Sequence, residues 1–407
     1  MLYYMHDFNH AILAPVNAFA RTGTYGLTHT FSPLNYSTEG RRVKANFEML
    51  ERNTRHFFKP AFGLKTTTLP SGEECKVTEE IVQRENFCHL IHFKKEAKLA
   101  HQPKILICAP LSGHYATLLR DTVRAMLPDH DVYITDWQNA RDIPLIVGEF
   151  TLDNYISYIM DFLRIIGPGT HVMAVCQPAV PVTAATALMS QNKDKCVPAS
   201  LTLMGGPIDS RNNPTAVNKQ AKEHPISWFR KHVITHVPYY YPGAWREVCP
   251  GFLMLSGFMS MNLERHVTAH KKFYEHLIQG DEESAASHRQ FYDEFMSVLD
   301  LPAEYYLESV RVAFQDHDLP KNKMKWNGHK VDVHAIDKTP ILAIEGELDD
   351  ISGLGQTKAV HDITPHLPAD KKQYHQQKAA GHYGIFNGSK WRNHIMPVVR
   401  EFIKKHD

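Results

Sequence analysis

Hydrophobic positions in the first quarter of the chain predict helices followed by short strands. Residues 46–58 carry apolar side chains at helical spacing, with charged residues at the other positions. The chain then favours β-structure at 65–69 and at 88–93, where the alternation is that of a half-buried strand. Apolar positions within residues 2–13 predict one further helix, whose face packs on the body of the protein or on another apolar surface.

From residue 104 onward, short apolar runs alternate with amphipathic helices. Runs typical of buried strands occupy residues 105–109, 132–137, 172–175 and 200–204, and helices are predicted at 118–126 and 151–166. The alternation stops at residue 209 and resumes with an apolar run at 340–344, a strand near 373–377 and a closing helix at 395–404. Such alternation indicates a predominantly parallel sheet wrapped by helices, with ligands bound at the carboxyl ends of the strands.

The interruption between residues 209 and 337 is mostly helical in pattern and rich in aromatic side chains. A helical insertion between two core strands indicates a cap over an active site, and the alternative is an independent packing layer. The sequence therefore predicts an N-terminal helical and β extension over 1–95, a first part of the α/β core over 96–208, a helical cap over 209–337 and a second part of the core over 338–407.

Composition and charge argue against several classes of partner. The chain has 407 residues, 43% of them hydrophobic, and its 45 basic and 44 acidic residues give a net charge of +1. This balance, and the lack of basic runs with interleaved aromatics, argue against nucleic-acid binding. No apolar stretch approaches the roughly 20 residues that span a bilayer. Residues 18–20 resemble a signal-peptidase site, but residues 1–20 hold no Lys or Arg and polar side chains interrupt the apolar region, so secretion is not expected.

The six cysteines are scattered, without a repeated spacing and without a C-x-x-C pair. A chain of this length needs no disulfides, and a nucleophilic thiol must stay reduced, so we expect a cytoplasmic protein. Two histidine pairs stand four residues apart, His232/His236 and His266/His270, but neither has a third ligand or a His-Glu-x-x-His pattern. The sequence therefore predicts no metal site and requires no organic cofactor.

Cys176 follows the apolar run 172–175 and precedes a turn and an Ala-rich helix. This is the strand–elbow–helix setting of an α/β-hydrolase nucleophile, with a thiol in the place of the usual serine, and no Gly-x-Ser-x-Gly competes with it. Ala174 and Pro178 take the positions where glycines are usual; Ala is small, and Pro needs no N–H at the opening of a helix. A neighbouring histidine would make this thiol a strong nucleophile, whereas Cys108, inside a strand, is expected to be structural.

Two downstream motifs supply partners for the thiol. Asp349 follows the strand at 340–344 by a Gly-containing turn, where a hydrolase acid orients the histidine. Asp350 is the alternative, and the Gly-x-x-Asp spacing from Gly346 favours Asp349. His382, in a Gly-His-Tyr-Gly loop after the last strand, is the predicted general base. The order nucleophile, acid, histidine is that of the α/β hydrolases, so we predict an α/β-hydrolase fold with a helix-rich cap.

The oxyanion that forms during acyl transfer needs two backbone N–H donors. One is predicted at Gln177, directly after the nucleophile. The other is expected in the loop that follows the strand at 105–109, where Pro110 cannot donate. Leu111 is therefore the predicted donor and Ser112 the alternative.

With these motifs together, the sequence resembles the intracellular poly(3-hydroxybutyrate) depolymerases along nearly its whole length. The resemblance rests on the stretches at 1–20, 59–63, 175–178, 345–350 and 381–384, and the Cys-Gln-Pro elbow is the most specific of them. It implies an α/β-hydrolase core in which a cysteine replaces the serine of the extracellular depolymerases, with the triad Cys176, Asp349 and His382. The related polyester synthases keep glycines around their cysteine, so the residues around Cys176 point away from synthesis.

The sequence thus predicts a carboxylic ester hydrolase that breaks poly(3-hydroxybutyrate) through an acyl thioester on Cys176, at the surface of polymer granules in the cytoplasm. The polymer would thread an apolar cleft between core and cap, and either water or the thiol of coenzyme A would accept the acyl group. The alternatives are a polyhydroxyalkanoate synthase or acyltransferase, a hydrolase of small esters or lactones, and a non-catalytic granule-associated protein on the same fold.

Overall fold

The computed structural model describes residues 2–28, 37–96 and 101–407. Met1, which opens the stretch 1–20 cited above, lies outside the described residues, as do 29–36 and 97–100. The strands are β1 (Thr66–Thr68), β2 (Glu74–Arg84), β3 (Cys88–Lys95), β4 (Lys104–Cys108), β5 (Asp131–Trp137), β6 (Thr170–Val175), β7 (Leu201–Met204), β8 (Thr235–His236), β9 (Glu247–Cys249), β10 (Leu301–Pro302), β11 (Lys325–Trp326), β12 (His329–Lys330), β13 (Ile341–Gly346) and β14 (Lys372–Gln377).

The helices alternate with the core strands and fill the interruption between β7 and β13. They are α1 (Leu2–Thr28), α2 (Thr38–Thr54), α3 (Arg120–Met126), α4 (Leu152–Ile166), α5 (Ala179–Gln191), α6 (Ala216–Glu223), α7 (Ile226–His232), α8 (Gly251–Met261), α9 (Leu263–Gln279), α10 (Glu282–Phe295), α11 (Ala303–Val310), α12 (Val360–Ile363), α13 (Gly388–Lys390) and α14 (Met396–His406). In the part of the chain that the structure describes, no helix is both long and apolar enough to cross a bilayer.

The central sheet has nine strands in the order β1-β2-β3-β5-β4-β6-β7-β13-β14. The six strands from β5 to β14 pair in parallel, and β1, β2 and β3 extend the sheet with antiparallel pairing. Helices cover both faces of the parallel part, so every residue of β6 and β7 is buried. The predicted fold class is confirmed: this is an α/β-hydrolase fold.

The strand order reverses at β4, because the chain goes from β4 to β5 on one side and then returns to β6 on the other. The carboxyl ends of β4 and β6 therefore open a crevice between the loops that follow them. In open α/β sheets such a reversal point is where ligands bind. The fold thus brings the segment after Cys108 next to the segment after Val175.

Local signals explain why the elements that hold this crevice form where they do. The side chain of Thr151 accepts a hydrogen bond from the Asn154 N–H, and the Asn154 side chain accepts one from the Thr151 N–H, which caps the start of α4. Gly167, with φ of 96°, ends the helix. The apolar face of α4 is buried, as its three- and four-residue spacing predicts.

The N-terminal part differs from the sequence prediction in two respects. The strand β2 was not predicted, because most of its residues are exposed or half-buried and its sequence is largely polar. The helix α1 forms, but among residues 2–27, whose side chains the structure describes, only Tyr3 and Ala20 are fully buried, whereas Leu2, Phe8 and Ile12 are exposed. Of the two predicted alternatives, packing on the body of the protein holds for Tyr3 but not for Leu2, Phe8 and Ile12. Packing of these three residues on another apolar surface stays a prediction.

The helices from α6 to α11 and the short strands from β8 to β12 lie between β7 and β13 in the chain, within the segment predicted as a cap. A buried carboxylate is one of the contacts between this segment and the N-terminal helix. Asp300 accepts hydrogen bonds from the Gly251 N–H at the start of α8 (2.9 Å) and from the Tyr3 hydroxyl of α1 (2.6 Å). The division of the chain into four segments stays a prediction.

Candidate active site

Cys176 stands at the carboxyl end of β6, at the reversal point of the sheet. Its φ is 67°, a left-handed conformation that non-glycine residues rarely adopt and that stores backbone strain. The turn is fixed on both sides, because the Cys176 N–H donates to the Met204 carbonyl (2.7 Å) and its own carbonyl accepts from the Ala179 N–H (3.1 Å). This sharp turn from strand to helix is the geometry of a nucleophile elbow.

Two glycines after β7 leave the space that the elbow occupies. A Cβ on Gly206 would lie 2.1 Å from the Ala179 Cβ and 2.9 Å from the Cys176 carbonyl oxygen. A Cβ on Gly205 would lie 3.2 Å from both Asp349 Oδ2 and His382 Cε1. Sequence reasoning assigned no role to these two glycines; the signal for it is a double glycine directly after β7, the strand that pairs with β6.

Asp349 and His382 are brought together from the loops after β13 and β14. His382 Nδ1 lies 2.8 Å from Asp349 Oδ2, and the side chains are 4% and 0% exposed. The other Asp349 oxygen accepts from the N–H groups of Ile351 (2.9 Å) and Ser352 (2.8 Å), so the carboxylate is held in place. Asp350 instead accepts a hydrogen bond from the Asn262 side chain. Of the two candidates for the acid, the structure places Asp349 against the histidine.

With Nδ1 bonded to Asp349, the remaining ring nitrogen of His382 is Nε2, and Cys176 is close enough to influence the ionisation of the ring. Burial by itself lowers the pKa of His382. The negative charge of Asp349, the Cys176 sulfur and the hydrogen bonds to both outweigh burial, so the pKa of His382 is raised well above its ordinary value. The ring is therefore well suited to accept a proton from a neighbouring thiol.

The two predicted oxyanion donors lie on either side of the crevice. The Gln177 N–H donates to no group within residues 2–28, 37–96 and 101–407. The Leu111 N–H, in the loop after β4, lies 3.4 Å from the oxygen of the Gln177 side-chain amide. The side-chain carbonyl oxygen of the residue after Cys176 thus already engages the Leu111 N–H. The role of both N–H groups as oxyanion donors stays a prediction.

The segment predicted as a cap closes over the loop that carries Leu111. The Leu299 N–H donates to the Gly113 carbonyl (2.8 Å), and the His114 ring bonds to the Phe295 carbonyl (3.0 Å). Burial lowers the pKa of His114 to about 4, so this ring is neutral and its Nε2–H donates a hydrogen bond to the carbonyl. From α8, Met254 packs so close to Gly113 that a Cβ there would lie 2.9 Å from the Met254 Cβ.

Metal-ligand groups and the other cysteines do not form a second site. Over the described ranges, no group of three or more His, Cys, Asp or Glu side chains could hold a metal ion. In the histidine pairs singled out above, His232 Nδ1 bonds to the Trp228 carbonyl and His266 Nδ1 to the Tyr292 hydroxyl, both at 2.9 Å. Burial raises the pKa of the Cys108 thiol, which suits a structural residue rather than a nucleophile.

Sequence comparisons relate the chain to proteins of polyester metabolism. Residues 205–407 match the family model described as PHB de-polymerase C-terminus; this region includes Asp349 and His382 but not Cys176. Curated proteins named poly(3-hydroxyalkanoate) polymerase subunit PhaC are similar as well. The protein from Haloferax mediterranei is 22% identical over 80% of this chain and 64% of its own length. The protein from Haloarcula marismortui is 23% identical over 79% of this chain and 66% of its own length. The chain thus spans about two thirds of these relatives.

Solved structures with a similar fold are α/β hydrolases of low sequence identity. An epoxide hydrolase from Bacillus megaterium has a TM-score of 0.48 and 12% identity, over 79% of this chain and 99% of the other. A thermophilic esterase from Thermogutta terrifontis has a TM-score of 0.40 and 14% identity, over 84% and 97% of the two chains.

Proposed function

We propose that this protein transfers 3-hydroxyalkanoyl groups through a thioester on Cys176, and that it works in the direction of poly(3-hydroxybutyrate) breakdown. The observation that carries the acyl-transfer proposal is the arrangement of Cys176 on a strained elbow beside His382, which Asp349 holds through Nδ1. The name of the family model that matches residues 205–407 supports the polyester substrate and the direction. The acceptor that releases the acyl group is water or a thiol.

In the first step the Cys176 sulfur attacks the ester carbonyl while His382 Nε2 takes the thiol proton. The ester carbonyl oxygen becomes the oxyanion and accepts hydrogen bonds from the N–H groups of Gln177 and Leu111, which requires the Gln177 side-chain oxygen to leave the Leu111 N–H. The C–O bond to the rest of the chain then breaks, and His382 returns its proton to the departing alkoxide. An acyl thioester remains on Cys176.

In the second step His382 takes a proton from the acceptor, which attacks the thioester carbonyl. Water gives a free 3-hydroxy acid or oligomer, and the thiol of coenzyme A gives the corresponding acyl-coenzyme A. The C–S bond to Cys176 breaks, and the proton on His382 restores the thiol. Asp349 stabilises the imidazolium in both steps and fixes Nδ1 as the protonated nitrogen.

Synthesis of the polyester is the second candidate function, and the two curated relatives favour it over breakdown, because both are named as polymerase subunits. The same thioester would then be formed from a 3-hydroxyacyl-coenzyme A, and the hydroxyl end of a growing chain would be the acceptor. The two directions use the same residues of this chain and differ in donor and acceptor, so activity measurements decide between them.

The decisive experiment measures both directions with one set of variants. Soluble 3-hydroxybutyrate or its coenzyme A ester is assayed from amorphous poly(3-hydroxybutyrate) particles, with and without coenzyme A. Polymer and free coenzyme A are assayed from 3-hydroxybutyryl-coenzyme A. The matched control for Cys176→Ala is Cys196→Ala, another partly exposed free thiol.

We expect release from particles by the wild type and by Cys196→Ala, and no release by Cys176→Ala. Polymer formation without release would favour the second candidate. If the wild type gives neither soluble product nor polymer, or if Cys176→Ala is active, the proposal of thioester chemistry is contradicted in both directions. A non-catalytic granule protein or a hydrolase of small esters would then be favoured.

A further inference from the structure

The helix α1 turns large apolar side chains toward solvent. Met5, Phe8, Ile12, Val16 and Phe19 are 55%, 65%, 55%, 38% and 66% exposed. Their spacing of three, four, four and three residues puts them on one side of the helix, which we call the outward face. A surface helix usually buries its apolar side against the core, so this orientation is the reverse of the ordinary one.

Polar contacts on the opposite side fix this orientation. The Tyr3 hydroxyl donates to buried Asp300 at 2.6 Å, and the Asn17 side chain donates to the Glu51 carbonyl of α2 at 2.8 Å. Rotation of the helix that buried the outward face would break both bonds and expose the Tyr3 ring, which is 1% exposed. The exposure of the apolar residues therefore follows from how α1 is attached.

The outward face carries no ionic side chain. Asp7 and Arg21 are the two ionic residues of α1. Successive residues of an α-helix are about 100° apart around its axis, so Asp7 lies about 100° and Arg21 about 140° from Phe8. Both residues are therefore outside the outward face. Asp7 is also engaged with the cap segment, because its carboxylate accepts from the Tyr240 hydroxyl at 2.6 Å. A charged or strongly polar partner would find no complement on this face.

Exposed tyrosines extend the outward face at its N-terminal end. The rings of Tyr4 and Tyr240 have centroids 6.1 Å apart, and those of Tyr240 and Tyr239 are 5.3 Å apart. Their exposed fractions are 46%, 48% and 69% for Tyr4, Tyr240 and Tyr239. A tyrosine combines an apolar ring with a hydroxyl that can donate a hydrogen bond, which suits a surface that is apolar but rich in carbonyl oxygens. The Tyr240 hydroxyl already donates to Asp7, so the donors for such a surface are the hydroxyls of Tyr4 and Tyr239.

The helix α8 connects this region to the active site. Its Phe252 packs on Tyr3 (centroids 5.7 Å apart) and is stacked on His6 (4.2 Å), and two residues further on Met254 packs on Gly113 of the loop that carries Leu111. The sequence of α8 is GFLMLSGFMSM, without an ionic residue, and only Gly251 is fully buried in it. One helix without ionic residues thus contacts both α1 and the loop that carries Leu111.

We infer that the outward face of α1, together with Tyr4, Tyr239 and Tyr240, is the surface by which the protein binds to solid, uncharged aliphatic polyester. The choice of this partner rests on the proposed function. Such a polymer exposes methyl and methylene groups and ester carbonyls, which accept hydrogen bonds but carry no charge. It matches an outward face with large apolar side chains and no ionic residue, beside the hydroxyls of Tyr4 and Tyr239, and α8 connects this surface to the loop that carries Leu111.

The inference is tested by the partition of the protein onto amorphous poly(3-hydroxybutyrate) particles in a sedimentation assay. All proteins carry Cys176→Ala, so that the particles are not consumed and binding is scored without activity. The test variant combines Phe8→Ser, Ile12→Ser and Phe19→Ser. The matched control removes three other exposed apolar side chains, at 39%, 38% and 47% exposure, by Ile81→Ser, Val82→Ser and Ile165→Ser.

We expect the test variant to bind particles at least tenfold more weakly and the control to stay within twofold of the parent, with both unfolding at unchanged denaturant concentration. With Cys176 restored, the test variant should lose release from particles but retain turnover of a soluble 3-hydroxybutyrate trimer. Equal particle binding by the test variant and the control overturns the inference. A change from dimer to monomer in the test variant, with particle binding unchanged, assigns the face to a second copy and also overturns it.

Failure of the proposed function gives a different pattern. If the wild type binds particles through this face but neither releases nor forms polymer, the acyl-transfer proposal fails while the binding surface stands. If the wild type turns over the soluble trimer and the outward face has no effect on particle binding, the catalytic proposal stands and the surface does not.

Discussion

Replacing Gly205 by alanine tests how closely the backbone after β7 approaches the triad. Gly205 has φ of 56°, and a left-handed conformation costs an L-residue about 1–2 kcal/mol. The added Cβ would also lie 2.7 Å from Ile385 Cδ1 and 3.2 Å from Asp349 Oδ2 and His382 Cε1. Ile385 is fully buried and has little room to move away from the added Cβ. The loop that carries both Ile385 and His382 must therefore shift.

The cost of the left-handed backbone and the cost of overpacking can each be given a magnitude. Overpacking of a well-packed site costs about 1–3 kcal/mol, so with the backbone term the free energy of unfolding should fall by about 2–5 kcal/mol. A displacement of a few tenths of an ångström is enough to relieve the contacts to His382 and Asp349. Since a misplacement of about 1 Å can reduce a rate about a hundredfold, we expect kcat/KM to fall about tenfold.

Gly63→Ala is the matched control for Gly205→Ala. Its φ is 63°, and the nearest atom to an added Cβ is the Ala61 carbonyl oxygen at 4.0 Å. This variant should therefore lose only the backbone term of about 1–2 kcal/mol and keep its activity. Urea unfolding followed by circular dichroism gives the free energies, and hydrolysis of a soluble 3-hydroxybutyrate trimer well below both midpoints gives kcat/KM. If Gly205→Ala loses no more stability than Gly63→Ala and remains fully active, the reasoning from close approach is refuted.

Two further predictions concern the role of Asp349 as the acid of the triad and the dependence of stability on pH. Asp349→Asn should reduce kcat by about 10⁴, because an amide favours the wrong tautomer of His382, whereas Asp350→Asn should stay within a few-fold; equal losses in the trimer assay would refute this assignment. Burial lowers the pKa of His288 to about 3, so the unfolded chain takes up the proton first as the pH falls. Between pH 7.5 and 5.5 the free energy of unfolding of the wild type should therefore fall by up to about 1.4 kcal/mol more than that of His288→Phe. Urea unfolding at the two pH values measures this difference, and an identical pH response of the two proteins would contradict the burial argument.

The core of the fold could be predicted because its signals are local. A central parallel strand is buried on both faces and is therefore a short continuous apolar run, as at 172–175 in β6. The turn from this run into an Ala-rich helix indicated the elbow at Cys176 for the same reason, since close packing of helix on strand admits only small side chains. The largely polar strand β2 lacked such a signal, because it lies near the edge of the sheet with most of its residues exposed or half-buried.

The sequence by itself determined which residues are candidates for catalysis and their order along the chain. The elbow, the turn that carries the acid and the loop that carries the histidine are each indicated by the residues adjacent to them in sequence. The spacing from Gly346 favoured Asp349 over Asp350, but only the tertiary structure placed Asp349 against His382 and brought Gly205 within reach of both. The direction of α1 was decided in the same way. Helical periodicity shows that one side of α1 is apolar, but which side faces solvent depends on bonds to Asp300 and to the Glu51 carbonyl, which are distant in sequence and meet α1 only in the folded chain.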